Sequence, residues 1–160
     1  MVYWFTGQPG AGKTVLATKL KELLQTEKRN WRKDVFHIDG DELRELTLNK
    51  DYSEAGRVQN IKNAQIIANF VHNKGCDVVV SVVAPYREQR EEFKKELGER
   101  IVEFYVHTKD IRGREDYHVP NYEPPTENFV DVDTTNVIEQ ISIGKITQKI
   151  YEYKQNGKLE

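Results

Sequence analysis

The sequence is poor in several things, and each shortage closes a route. It has one cysteine, Cys76, in 160 residues. No intrachain disulfide is open to it, which suits a reducing cytoplasm. Cys76 itself is expected to be a small apolar filler at the entry to a strand. No run of 18 apolar residues occurs, so no membrane-spanning helix is expected. The opening MVYWFTGQPG has neither the basic start nor the long apolar stretch of a secretory signal. Neither charge sign is in excess: 24 Lys and Arg stand against 26 Asp and Glu, a net −2. That balance leaves no electrostatic footprint for DNA or RNA. His37, His72 and His107 have no metal-ligand spacing and are expected to be ordinary strand and helix residues. A cytoplasmic enzyme acting on small molecules fits best, with no nucleic-acid or membrane partner.

Proline is scarce too, and three of the five prolines fall in one stretch, 108–128, TKDIRGREDYHVPNYEPPTEN. A polar connection of that length inside a compact domain is usually functional, and an active-site lid is expected there. Elsewhere short runs rich in β-branched and aromatic residues alternate with helical patterns. The strands are expected at 2–6, 35–38, 77–83, 101–107 and 129–132. The helices are expected from Val15 to about Glu27, from Glu54 to Asn73, over 86–97 and over 136–154. Val15, Leu16, Leu20, Leu23 and Leu24 mark the first, and Ile61, Ala64, Ile67, Ala68 and Val71 share one face of the second. Gly75 suits its C-terminal cap. Such alternation predicts an α/β protein, with a central parallel five-stranded sheet flanked by helices in three layers. At 160 residues the chain is expected to be one domain, 1–160.

Residues 7–17 read GQPGAGKTVLA. Gly7, Gly12, Lys13 and Thr14 satisfy G-x-x-x-x-G-K-[ST] between a strand and a helix, the setting of a phosphate-binding loop. The stretch Gly7, Gln8, Pro9, Gly10, Ala11, Gly12, Lys13, Thr14 and Val15 is therefore expected to bind ATP. Its backbone N–H groups and the helix N-terminus wrap phosphate oxygens. Lys13 places a charge at the β/γ phosphates, and the Thr14 hydroxyl can ligate Mg²⁺. No N-K-x-D string and no suitably placed D-x-x-G switch argues for a regulatory GTPase, and the third strand lacks the terminal Asp of a motor ATPase. A small-molecule kinase remains.

IDGDELR (38–44) ends the second strand, where ligands gather in an open α/β sheet. Asp39 and Asp41 can hold Mg²⁺, partly through water, or take a proton from an acceptor hydroxyl. Arg44 can grip an anionic acceptor. The plainer alternative is a turn of solvated acids, with Asp41 an N-cap to the helix behind it. Arg57 and Asn60 lie three apart on one helical face, and either serve the acceptor or belong to an ordinary exposed surface. Ser81 ends the third strand, and Pro85 can stop it, leaving Tyr86 and Arg87 over the sheet edge. Arg87 and Arg90 otherwise form a solvated, salt-bridged helix start.

Taken in order, GQPGAGKT, HIDGDELR, LNKDYSEAGRVQNIKNAQIIANF, VVVSVVAPYREQRE and NYEPPTENFVDVDTT resemble the adenylylsulfate (APS) kinase family across most of residues 2–136. The resemblance implies the P-loop kinase fold, commonly as a dimer, and phosphorylation of the 3′-hydroxyl of adenosine 5′-phosphosulfate by Mg·ATP. Position by position it implies ATP phosphates and Mg²⁺ for Lys13 and Thr14. It implies the acceptor hydroxyl and metal waters for Asp39 and Asp41, with Lys13, Asp39 and Asp41 as the catalytic set. It implies acceptor binding for Arg44, Arg57, Asn60, Ser81, Val82, Pro85 and Tyr86. The sequence departs from the family on the acceptor side. Tyr52 stands nearest the family's Phe, and Gly56-Arg57-Val58-Gln59-Asn60 lacks the acids of D-R-x-E-N. The lid is shortened to IRGREDYHVPNYEPP, where Arg112 and Arg114 can supply cations to ATP and Tyr117 or His118 can stack. The departures leave room for another nucleoside 5′-diphosphoryl-type acceptor, such as cytidine diphosphoramidate, or for a module that binds ATP and transfers nothing.

Overall fold

A computed structural model describes residues 1–27 and 34–156. The elements run β1 (Val2–Thr6), α1 (Lys13–Glu27), β2 (Val35–Asp39), α2 (Gly40–Leu46), α3 (Glu54–Asn73), β3 (Asp77–Ser81), α4 (Arg87–Leu97), β4 (Ile101–His107), β5 (Phe129–Asp133) and α5 (Glu139–Asn156). The five strands form one sheet in the order β2-β3-β1-β4-β5, with every pairing parallel. Alternate residues of β1 feed opposite layers, as the two-residue period of a strand requires. Tyr3 and Phe5 pack with Leu16, Leu20 and Leu24 of α1 and Ile146 and Ile150 of α5. Val2 and Trp4 pack with Leu43 of α2, Ile61, Ala64 and Ala68 of α3, and Phe93 and Leu97 of α4. This is the expected three-layer α/β sandwich.

Several expected boundaries move, each for a local reason. β3 stops at Ser81 rather than 83, before Pro85 is reached. The Val83 carbonyl is taken by the Thr6 hydroxyl at 2.7 Å and by the Gly7 N–H at 3.4 Å, so it is lost to the ladder. α1 starts at Lys13, two residues before Val15, because the Gly12 carbonyl already accepts from the Leu16 N–H. Val15 and Leu23 are exposed, so the buried stripe of α1 is Leu16, Leu20 and Leu24. α5 starts at Glu139 rather than 136. Asn136 sits at φ 52°, and its N–H bonds the Asp110 carboxylate. Lys74 caps α3, with left-handed Gly75 next donating to the His72 carbonyl. Cys76 is half-buried just before β3.

Arg90 corrects the expectation of a solvated helix start. It is 2% exposed. Its Nε meets Glu103 Oε1 at 2.8 Å, and its Nη groups donate to the carbonyls of Ala84 and Glu123. Lys94 Nζ reaches Glu103 Oε2 at 2.7 Å. This buried ion pair ties α4 to β4, to the turn after β3 and to the chain at Glu123. Arg87 joins the same seam through the Pro124 carbonyl. Removing Arg90 leaves buried Glu103 to Lys94 alone and deprives the Ala84 and Glu123 carbonyls of their donor, at a cost of about 3 kcal/mol. Arg90→Leu is therefore expected to lower stability in urea unfolding by about that amount, and the Arg90→Leu/Glu103→Leu double variant by less. A double variant no more stable than the single one would contradict the pairing.

Candidate active site

The loop between β1 and α1 is pressed against the sheet. A Cβ on Gly7 would stand 2.0 Å from the Val106 carbonyl oxygen, and its φ is +144°, so only glycine fits. Lys13 is 8% exposed and donates to the Gln8 carbonyl at 2.8 Å. Burial pushes its ammonium down to about 8, with Asp39 and Asp41 pulling the other way. Gln8 also clasps the 108–128 stretch reciprocally. Its Nε2 donates to the Val119 carbonyl, and its Oε1 accepts from the Val119 N–H, both at 2.8 Å. His118 Nε2 donates to the Pro9 carbonyl at 3.1 Å. Arg112 donates to the Gly10 carbonyl at 3.3 Å and to the Thr134 carbonyl at 2.8 Å. A Cβ on Gly10 would stand 3.0 Å from Arg114 Cβ. Residues 112–119 therefore lie across the loop, with Arg112 and Arg114 beside it. Tyr117 packs under the Arg114 guanidinium, 5.6 Å away.

Asp39 is where two strands and a helix meet. It ends β2, lies opposite Ser81 in the β2–β3 register, and caps α2 by accepting from the Asp41 N–H at 2.9 Å. The cap is thus Asp39, not Asp41, which sits exposed in the first turn. Asp39 Oδ2 accepts from the Thr14 hydroxyl at 2.9 Å and from the Ser81 hydroxyl at 2.8 Å. Burial alone would raise its carboxyl, but bonds from Ser81, the Asp41 N–H and Thr14 outweigh it and hold it below the ordinary value. Thr14, Asp39 and Asp41 offer a hydroxyl and two carboxylates beside a buried lysine. No cluster of three or more His, Cys, Asp or Glu able to cage a metal exists among the described residues. A hydroxyl and one or two carboxylates are the protein ligands Mg²⁺ usually takes, alongside water and substrate phosphates.

The residues expected to serve the acceptor form a second group against α2. Arg44 lies over the Tyr52 ring, 4.2 Å from its centroid, and donates to the Asp51 carbonyl at 2.7 Å. Arg57 Nε donates to the Tyr52 carbonyl at 2.8 Å. Asn60 is buried, bonds the Gly40 carbonyl at 3.4 Å and keeps an unpartnered Oδ1. Arg57 and Asn60 therefore do not form an ordinary exposed helix surface. Val82 packs against Gly40. Tyr86 caps α4, and its hydroxyl is raised by burial and by Glu54, with Arg57 opposing. Pro85 is buried, its carbonyl accepting from the Glu123 N–H. Gly56 explains one departure from the family pattern. A Cβ there would meet the Asp51 carbonyl at 2.2 Å, so the short loop before α3 leaves no room for the family's Asp.

Sequence reasoning missed two features. His37 Nε2 lies 2.8 Å from Ser81 Oγ, inside the site rather than in plain strand. A cavity of about 460 Å³ opens beside the loop, bounded by Gly12, Val15, Arg112, Thr134, Ile138 and Gln140 among others. Its signal was present: the stretch after β5 lies at the C-terminal edge of the sheet, where open α/β folds bind ligands.

The adenylylsulphate kinase family model matches residues 1–117. An adenylyl-sulfate kinase of Synechococcus is 34% identical over 114 residues, 71% of this chain and 63% of that protein. The Chloroflexus aurantiacus adenylyl-sulfate kinase is 42% identical over 93 residues, 58% of this chain and 48% of that protein. The chain thus spans about half to just under two thirds of the curated relatives it matches. The APS kinase of Mycobacterium tuberculosis, solved with AMPPNP and APS, superposes with a TM-score of 0.77 at 19% identity, covering 92% of this chain and 95% of that one. That likeness shows the fold.

The buried Lys13 charge sets a stability prediction. Its folded value near 8 lies below the ordinary 10.5, so the folded state binds the proton less tightly than the unfolded one. The penalty, about 3 kcal/mol, is fully present below pH 8 and fades as pH rises toward 10.5. Lys13→Met is expected to raise the melting temperature of the nucleotide-free protein at pH 7, and this advantage should shrink by pH 10. A variant less stable than the parent at pH 7 would show that the bond to Gln8 outweighs the buried charge.

Proposed function

This chain belongs to the adenylylsulphate kinase family, and from that premise we propose that it transfers the γ-phosphate of ATP to the 3′-hydroxyl of adenosine 5′-phosphosulfate. The observation that carries the proposal is the meeting of Thr14 from the phosphate loop, Ser81 from β3 and Asp39 from β2 at one carboxylate. Arg44, Arg57 and Asn60 stand against the same helix start. A phosphate donor on one side and an anionic acceptor on the other would face each other across Asp39.

In this mechanism the loop amides and Lys13 hold the γ-phosphate, and Thr14, Asp39 and Asp41 would hold Mg²⁺. When bound, the ion neutralises charge on the transferring phosphoryl group. Arg44 and Arg57 grip the acceptor's anionic groups, and Asn60 helps to orient it. Asp39 or Asp41 orients the acceptor hydroxyl or takes its proton. Arg112 and Arg114 add positive charge over the loop, and the 108–128 stretch excludes water that would otherwise hydrolyse ATP. The cavity beside Gly12 and Ile138 takes the ATP nucleoside. No helix among the described residues is long and apolar enough to cross a membrane. The single cysteine suits the cytoplasm, and the family resemblance favours a homodimer of one 160-residue domain.

One observation favours a different acceptor on the same machinery. The family match ends at Tyr117, inside the stretch expected to meet the acceptor's base. The lid there is short, and a smaller base, as in cytidine diphosphoramidate, suits it.

A coupled ADP-release assay with Mg·ATP decides between them. Turnover of adenosine 5′-phosphosulfate is expected, and turnover only of a cytidine diphosphate analogue would move the activity to that acceptor. ATP binding without turnover of either would favour the non-transferring module. In the same assay Lys13→Ala should abolish turnover. Arg57→Ala should raise the acceptor KM by at least about tenfold, the scale of one charged hydrogen bond, with the ATP KM little changed. An Arg57→Ala enzyme with unchanged acceptor kcat/KM would sink the acceptor assignment.

A further inference from the structure

His37 lies two residues before Asp39 on β2, so both side chains project from the same face of the strand. The register sets Asp39 opposite Ser81, leaving His37 diagonal to Ser81 on that face. Three side chains then join in series. His37 Nε2 lies 2.8 Å from Ser81 Oγ, and Ser81 Oγ lies 2.8 Å from Asp39 Oδ2.

A serine hydroxyl has one proton. Here it points at Asp39, an ionised carboxylate that can only accept. Ser81 Oγ must therefore accept from His37, and His37 must carry its proton on Nε2. The neutral Nε2–H ring and the imidazolium both satisfy this, so the arrangement does not depend on how His37 titrates. A hydroxyl that accepts one hydrogen bond polarises toward the next, strengthening its own donation. Asp39 Oδ2 has two side-chain donors, Thr14 and Ser81. Thr14 is exposed, whereas Ser81 is buried at the end of a central strand. Ser81 is the fixed support, and His37 fixes Ser81.

We propose that His37 is a positioning residue for phosphoryl transfer: its Nε2–H locks the Ser81 hydroxyl as a donor to Asp39 and holds that carboxylate beside Thr14. This rests on the role given to Asp39 above, as a group serving Mg²⁺ and the acceptor hydroxyl. Residues that orient such carboxylates typically matter by 10–100-fold in metal affinity or activity.

The test compares His37→Leu, which loses the donor, with His37→Gln, whose amide N–H can reach the same place. Two readouts are used: ADP release, and the Mg²⁺ concentration giving half-saturated binding of a fluorescent ATP analogue. His37→Leu should lower kcat about tenfold and raise the half-saturating Mg²⁺, with the ATP KM changed by no more than about twofold. His37→Gln should recover most of both. In a Ser81→Ala background His37→Leu should add nothing, because its effect travels through Ser81. Parent-like values for His37→Leu would overturn the proposal. So would equal losses in Leu and Gln with matching drops in melting temperature, or a full effect without Ser81. The binding readout needs no acceptor, so it decides the role of His37 even if neither acceptor is turned over.

Discussion

The site depends on how closely the loop after β1 approaches β4. Gly7 lies so near the Val106 carbonyl that a single added carbon would overlap it. This contact fixes where the chain leaves the sheet, and therefore where α1 begins and where Lys13 and Thr14 stand. The Gly7 N–H and the Thr6 hydroxyl both reach Val83, so the same turn also sets where β3 ends. Ser81 is left as its last residue, facing Asp39. Moving the loop would dissolve the meeting of Thr14, Asp39 and Ser81.

That placement has an energetic cost. A lysine buried to 8% exposure keeps its proton poorly, because low-dielectric surroundings disfavour its charge. Asp39 resists the same pressure through three hydrogen bonds. The nucleotide-free site is thus a lysine short of compensation beside a carboxylate well supplied with it. A triphosphate would supply what the lysine lacks. On the proposed function, triphosphate binding would relieve this buried charge, a common bargain between stability and activity.

The far side of the sheet is held differently. Arg90 and Glu103 carry charge into the core, and the spare donors of Arg90 gather the turn at Ala84 and the return segment at Glu123. Together with the Gln8–Val119 clasp, they anchor the C-terminal end of the stretch that crosses the loop. N-terminal to these anchors residues 111–118 stay exposed, tied to the loop through Arg112 and His118.

The sequence by itself determined the layers and the donor half of the site. The runs of β1, β3 and β4 are largely apolar because those strands are buried on both faces, and the helical stripes repeat near every fourth residue. These are local periodicities, readable without a partner. GQPGAGKT is equally local, since its glycines and its Lys-Thr follow one another along a single turn. What lay between distant segments was invisible. Arg90 could be taken as solvent-facing because its partners are Glu103 on β4 and two carbonyls elsewhere in the chain. The alternative of Asp41 as a cap stayed open because nothing local revealed that Asp39 accepts from the Asp41 N–H. His37 read as ordinary because its meaning comes from Ser81, 44 residues away. Gly56 read as a lost acid until the Asp51 backbone filled its space. Tertiary structure decided these, because strand register and close packing are properties of pairs of segments, and no single stretch carries both members.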